Sequence, residues 1–325
     1  MSLQFTVENF DSLFDDWSKL QAKSPTSHIF STPEWSEVWW QHFGSGSTLY
    51  LRAVKKAGKV AGIAPLRMHN ATALFIGDAN VCDYLDFTVE PGEEPDFFNL
   101  LLDDLATSGA KRLELLPVRG DSAVVTSLVD IAQHRGLQFL CTELDISLEL
   151  PLPATWEEYL QLLTSKQRHE LNRKWRRLEE NGEVHFRTST DANPDEVNVF
   201  IQLFRDSRQD KSEFLTPPME AFFRSLLSTM AKSERLRLNI LELNTTPVAA
   251  TICLDYQDIV YLYNSGYDPK FSWLSVGLIS KAMCIQDSIR RGKRRFDFLK
   301  GGEQYKYHLG GREIALYTCS LPFKE

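Results

Sequence analysis

No stretch of this 325-residue chain stays apolar and uncharged for long enough to cross a bilayer as a helix. Positive charge is in deficit too. Thirty-six Lys and Arg against 44 Asp and Glu leave a net charge of −8, which argues against general affinity for nucleic acid or an anionic membrane. Cysteine is scarce, with Cys82, Cys141, Cys253, Cys284 and Cys319 odd in number, widely spaced and free of any CxxC or Cys/His cluster. They read as reduced, buried thiols, and no metal is expected. The opening Met1-Ser2-Leu3-Gln4-Phe5 has neither the basic nor the apolar segment of a secretory signal. Together these absences lead to the expectation of a soluble cytoplasmic protein with no DNA partner and no stable membrane insertion.

Core-forming residues are plentiful. Apolar residues make up 43% and phenylalanines number 20, which excludes disorder, and the length fits two ordinary domains. The chain also repeats itself. Ser108-Gly109-Ala110-Lys111-Arg112-Leu113-Glu114-Leu115-Leu116 aligns without a gap on Arg291-Gly292-Lys293-Arg294-Arg295-Phe296-Asp297-Phe298-Leu299. Each reads as a helix end closed by glycine and a basic entry into a strand. Upstream, Leu49–Met68 and Leu236–Asp255 both read strand, turn, strand, followed by a further strand (Tyr84–Phe87 and Val260–Tyr263) and a helix. A duplicated domain is the first hypothesis.

Pro151-Leu152-Pro153 interrupts any strand ladder, so the domains are placed at 1–150 and 151–325. Ser31-Thr32-Pro33-Glu34 opens a helix, whose face carries Trp35, Val38 and Trp39. Thr155 caps a long helix running to Asn181-Gly182, and two helices are expected within 195–231. Strands alternate with helices while hairpins recur, so the fold class is α/β with mixed sheets and α+β character.

The copies differ where chemistry would lie. Before its main helix the first has Glu90-Pro91-Gly92-Glu93-Glu94-Pro95-Asp96, which repels a phosphate; the second has Lys270-Phe271-Ser272-Trp273-Leu274-Ser275-Val276-Gly277. A helix N-terminus opened by small residues can cradle a pyrophosphate, and an ordinary helix capped by Ser275 is the plainer alternative. Downstream, Lys300-Gly301-Gly302-Glu303-Gln304-Tyr305-Lys306-Tyr307-His308 concentrates donors and titratable groups at a strand end. Lys306 could stabilise an oxyanion, and Glu303 or His308 could accept a proton. On this reading Lys306→Met removes a charge and hardly alters stability. The basic run from Lys166 to Arg177 reads foremost as a solvated helix face shared by Lys166, Arg173 and Arg177. Alternatively, Arg168 and Arg173 bind a phosphate or carboxylate of an acceptor, or the backbone of an aminoacyl-tRNA.

As an ordered set, Thr246–Thr251, Tyr261–Asp268, Ser275–Gly277, Phe296–Lys306, the Lys166–Arg173 helix and Phe30–Trp35 resemble the CelD-like (BioF2-like) acetyltransferases of the GNAT superfamily, relatives of the Fem-type aminoacyl transferases. The resemblance covers nearly the whole chain. It implies tandem GNAT domains, the first degenerate and structural, the second carrying the site. It further implies acyl transfer, acetyl by preference, from acyl-CoA (acetyl-CoA) to an amine or hydroxyl of a small-molecule or cell-envelope precursor, with no metal. By position, Tyr263, Asn264, Ser265, Lys270, Ser275, Val276 and Gly277 would hold the donor. Lys306 would face the transferred carbonyl among Glu303, Tyr305 and His308. Arg168, Arg173, Lys300 and Trp35 would meet the acceptor. The usual Q/R-x-x-G-x-G/A loop of simple GNATs is reduced here to one glycine. The competing readings are a Fem-type ligase using aminoacyl-tRNA, and a catalytically inactive binding protein.

Overall fold

The computed structural model describes residues 3–24 and 26–323. Its contacts divide the chain into two units, residues 1–146 with 314–325, and residues 147–313. The first contains β1 (Leu3–Val7), α1 (Phe10–Gln21), α2 (Pro33–Phe43), β2 (Thr48–Lys56), β3 (Lys59–His69), β4 (Thr72–Phe75), β5 (Thr88–Val89), α3 (Glu94–Thr107), β6 (Arg112–Arg119) and α4 (Val129–His134). Strand β7 (Leu140–Pro151) carries the chain onward. The second unit follows with α5 (Trp156–Leu162), α6 (Ser165–Glu179), β8 (Val184–Ser189), α7 (Pro194–Ser207), α8 (Gln209–Phe214), α9 (Pro217–Lys232), β9 (Leu236–Leu243), β10 (Thr246–Tyr256), β11 (Ile259–Tyr267), α10 (Val276–Arg290), β12 (Arg295–Lys300) and α11 (Gln304–His308). Strand β13 (Arg312–Pro322) closes the chain, joining the first unit from Ile314 onward.

Each unit has a mixed sheet of one pattern. In the first the strand order is β1-β2-β3-β4-β6-β13, antiparallel except that β4 and β6 run parallel. In the second it is β8-β9-β10-β11-β12 and the last residues of β7, again antiparallel except for the parallel pair β11 and β12. The repeat is exact in register. Arg112, Leu113 and Glu114 face Thr72, Ala73 and Leu74 across the first parallel pair, as Arg295, Phe296 and Asp297 face Ile259, Val260 and Tyr261 across the second. The fold is the mixed α/β arrangement expected of the sequence, with one sheet pattern used twice.

Several local expectations are corrected. The strand beside β6 is Thr72–Phe75, whereas Tyr84–Phe87 is irregular. Asp86 accounts for this, since its carboxylate accepts from its neighbour Phe87 N and from Ala123 N (2.9 Å each) and so diverts the backbone from a ladder. The long helix after Thr155 is two, because Thr164 and Gln167 form a second capping box and restart the chain. Three helices, not two, occupy 194–232, interrupted at Arg208 and at Leu215-Thr216. Trp35, assigned to the acceptor, is wholly buried in the first unit with its Nε1 donating to Cys82 Sγ at 3.2 Å. Only Cys82, Cys253 and Cys284 are free and buried; Cys141 and Cys319 form a disulfide across β7 and β13, Cα atoms 4.1 Å apart. Their 178-residue separation concealed that pairing. Among the described residues, no helix is long and apolar enough to cross a membrane.

Candidate active site at the parting of two parallel strands

The parallel ladder between β11 and β12 ends after Tyr261 and Asp297, although β11 continues to Tyr267 and β12 to Lys300. The cause lies in β12. Its register against β7 shifts between Asp297 and Leu299, and Leu299 takes a left-handed φ of 66°, rare for a branched residue. Asp297 holds that bend. Its carboxylate is 1% exposed and accepts from Leu299 N at 2.7 Å, so it is a buried brace.

Beside the parting stands the start of α10. Ser275 sits before it at φ 59°, and its side chain makes no capping bond, unlike the plain capped helix weighed from sequence. A helix start leaves N–H groups without intrahelical partners and carries partial positive charge. Here it borders a cleft of about 240 Å³ lined by Tyr267, Ser275, Val276, Gly277, Lys281 and Tyr305. A Cβ added at Gly277 would lie 3.1 Å from Tyr267 Cδ1, so glycine keeps this wall close. Tyr263 is buried with its ring edge-on to Phe223, Asn264 pairs with Ile252 in the ladder, and Lys270 is exposed away from the cleft lining.

Lys306 occupies a different place from the one expected. It is 2% exposed, and its Nζ donates to the carbonyls of Leu299 (2.9 Å), Lys300 (2.5 Å) and Gly301 (2.9 Å) while lying 2.9 Å from Glu303 Oε2. An ammonium has three protons, and three carbonyls take them. The side chain ties the end of β12 to α11. Burial pushes the Glu303 carboxyl up, but the Lys306 ammonium holds it below its ordinary value. Tyr305 lines the cleft, whereas His308 is exposed on the far side of α11, against α6.

Two lysines that sequence reasoning passed over face the same place. Lys281, one turn into α10, is 7% exposed, donates to Gly277 O at 2.9 Å and lies 4.8 Å from the centre of the Tyr305 ring. Burial, then the charge of Lys211, pushes its pKa down to about 8. Lys211 of α8 donates to Ser265 O on the part of β11 beyond its pairing with β12; burial and Arg208 bring it also to about 8. Glu303 is among the charges felt by both. A signal for Lys281 existed: it is a lone cation inside the apolar run from Ile279 to Ile285. For Lys211, in Gln209-Asp210-Lys211-Ser212-Glu213, none did.

Helix α6 forms a second cleft, of about 640 Å³, against Leu278 of α10 and Leu309. Lys166, Arg173, Lys174 and Glu170 line it. The Glu170 carboxyl is held down at about 2 by its bonds to Arg173, at 2.8 and 3.0 Å, and by Lys174. Arg168 is turned inward to Leu160 O at 3.2 Å, a structural bond. Arg177, expected on the solvent face, instead donates to Ser275 Oγ at 3.3 Å, while its buried Nε has no partner.

Residues 165–307 match the family model of the GNAT acetyltransferase domain. A search of curated proteins finds no match. Among solved structures the chain is similar to FemX, at a TM-score of 0.67 and 11% identity over 97% of this chain and 96% of that one. It is also similar to the C-terminal domain of a putative lysylphosphatidylglycerol synthetase from Agrobacterium fabrum (0.60, 9%, 96% and 92%). A third is a tandem GNAT protein from the clavulanic acid biosynthesis pathway (0.54, 12%, 98% and 98%). At these identities the likeness concerns the fold.

Proposed function

We propose that this protein is an acyltransferase that moves an acyl group, acetyl by preference, from acyl-CoA to an amine or hydroxyl of a small-molecule or cell-envelope precursor. The observation that carries the reading is the parting of β11 and β12 beside the start of α10. Backbone groups of β11 left without a partner on its β12 side can hold an extended pantetheine, and the helix start can take its pyrophosphate. The acceptor's nitrogen or oxygen attacks the thioester carbon, the C–S bond breaks, and the acceptor's proton goes to a base while the departing thiolate takes one up. Lys281 suits the base because with a pKa of about 8 it is part neutral near neutral pH. The positive field of Lys211 and Lys281 also favours the neutral, nucleophilic form of an acceptor amine. Lys306 positions this loop.

The test is the melting temperature of the purified chain with acetyl-CoA, with longer acyl-CoA and with charged tRNA. Stabilisation by acyl-CoA at a hundred times its Kd should reach about 2.7 kcal/mol. A response to charged tRNA alone would replace the donor with an aminoacyl ester, and a response to neither would remove the transferase reading.

A further inference from the structure

A third hollow lies toward the far end of α10 from the reacting cleft. Its volume is about 570 Å³, and it is lined by Trp156 at the start of α5, by Asn172, Trp175, Arg176 and Glu179 of α6, and by Gln286 of α10. The four α6 residues recur at helical spacing, which puts them on one face. Gln286 follows Gly277 by nine residues, roughly 14 Å along the axis at about 1.5 Å per residue. A group held here is therefore not the group that reacts.

The groove joins a fixed aromatic wall to polar groups that have no task inside the protein. The Trp156 and Trp175 rings are partly buried, with centres 6.0 Å apart and planes tilted by 57°. Tyr159, wholly buried and 4.7 Å from Trp156, backs that ring and is anchored by its own hydroxyl, which donates to Leu309 O at 3.1 Å. Trp175 Nε1 donates to Glu179 Oε1 at 2.9 Å, which fixes the indole and leaves the carboxylate one oxygen to accept. Asn172, Arg176 and Gln286 are exposed, and among the described residues their side chains make no hydrogen bond or ion pair. Their neighbours on α6 differ. Arg173 and Lys174 are held by Glu170, and Arg177 by Ser275.

We propose that this groove binds a neutral saccharide, the β-linked pyranose rings of a glycan whose ring substituents are equatorial. Such a ring carries axial C–H bonds on two apolar faces and hydroxyls around its edge. The C–H faces suit the negative face of an indole. Each hydroxyl both donates and accepts, as the amides of Asn172 and Gln286 do, while Arg176 adds donors and Glu179 an acceptor. Other ligands leave part of the groove unused. Arg176 and Glu179 cancel in charge, so nothing selects a phosphorylated nucleotide or a nucleic acid. Ring centres 6.0 Å apart leave no slot for a cation between them. A proline-rich peptide brings acceptors with few donors and leaves Glu179 unanswered. The groove holds a glycan by a part that is not acylated, and it does not rest on the acyltransferase reading.

The probes are cellotetraose and chitotetraose, both β-1,4-linked with equatorial substituents, titrated calorimetrically into the full chain. β-1,4-Galactotetraose, whose axial C4 oxygen interrupts the ring face, and a proline decapeptide are titrated beside them. At least one of the first two is expected to bind at millimolar concentration, and galactotetraose at least about tenfold more weakly. Trp175→Ala should abolish binding. Because that ring also packs on Trp156, a second variant, Asn172→Ala with Gln286→Ala, decides the matter. Both of its side chains are exposed and unpartnered, so the melting temperature should hold while affinity falls about tenfold. The tighter tetrasaccharide names the sugar. Binding by neither, equal binding of galactotetraose, preference for the proline peptide, or affinity unchanged in the double variant overturns the proposal. So does a Trp175→Ala chain that melts normally and binds as before. Tetrasaccharide binding without any response to acyl-CoA leaves the groove and removes the donor, whereas a response to acyl-CoA alone removes the groove and leaves the transferase reading intact.

Discussion

The ends of β6 and β12 are the same place in two copies of one fold, and they are finished in opposite ways. Past the parallel register of the first unit, β4 stops at Phe75 and the chain from Ile76 to Phe87 packs in. Leu85 N donates to Pro117 O at 2.7 Å, and Cys82, Tyr84, Leu85 and Phe87 are buried. In the second unit β11 continues instead, so the space stays open. The carbonyl of Lys300, which aligns with Pro117, is met by the ammonium of Lys306. One copy closes its gap with backbone and apolar side chains; the other lets three lysines and a glutamate crowd around it. The two units share the sheet and differ at the strand ends, and the charge buried at the open end costs stability that the closed end does not lose.

The comparison breaks most visibly at Lys306. If its ammonium replaces the backbone donor found in the first unit, Lys306→Met strands three carbonyls. At roughly 1–2 kcal/mol for each lost partner, about 3–6 kcal/mol of stability should go, and Lys306→Arg should not restore it, because a planar guanidinium cannot meet the same three acceptors. Urea unfolding checks this. A normal midpoint for Lys306→Met would return the lysine to the place the sequence first gave it, a charge whose removal hardly alters stability.

Gly266 sharpens the difference from the other face. A Cβ there would lie 2.3 Å from Phe204 N, against the backbone of α7. Gly266→Ala should push α7 off β11 and cost about 2–3 kcal/mol. Thermal melting with the acyl-CoA response measured alongside would show whether the gap collapses with it.

Lys281 should behave in the opposite sense to Lys306. Its folded pKa is depressed from 10.5 to about 8, so between those values the unfolded chain holds a proton that the folded chain lacks. Stability from this group therefore rises with pH across that window and is lowest below pH 8. Lys281→Met should raise the melting temperature at pH 7 relative to the parent, with the gain shrinking toward pH 10. The same variant should lose about a hundredfold in turnover and the limb of its pH–rate profile near pH 8. A variant that keeps both turnover and that limb would leave Lys281 as a buried structural cation.

The repeat was legible because strand entry and strand alternation are local patterns, and the aligned residues Arg112–Glu114 and Arg295–Asp297 do take equivalent register. The start of α10 was legible because glycine and small residues at a helix opening carry their own geometry. What escaped was direction. Nothing in Lys300–His308 tells that Lys306 turns inward to carbonyls of its own loop, since α11, which sets its orientation, is five residues long. Lys211 reaches the gap from a helix about 50 residues upstream of β11, a contact that only the packing of α7 and α8 produces. The disulfide escaped for the same reason, being a consequence of β13 joining the first unit.

The smallest expected effect lies in the closed gap itself. Asp86 and His28 line one small cavity of the first unit with Arg119 and Ser122. Burial pushes Asp86 up to about 7 against the backbone N–H bonds that favour its charge, and burial with the nearby Arg119 pushes His28 down to about 3. Asp86 keeps a proton in the fold that the unfolded chain releases above about 4, so its contribution falls as pH rises toward 7. His28 refuses a proton that the unfolded chain takes up below about 6.5, so its contribution falls as pH drops. The two slopes oppose each other over nearly the same range, and in the parent they largely cancel. Removing one exposes the other. Relative to the parent, Asp86→Asn should lose stability on acidification from pH 6.5, and His28→Gln should lose it on going from pH 4 to pH 7. Urea midpoints of the parent and both variants across pH 4–7 decide the matter. Parallel curves for all three would mean that neither group is held in its neutral form, and that the cavity closing the first unit's gap admits water as freely as the open one does.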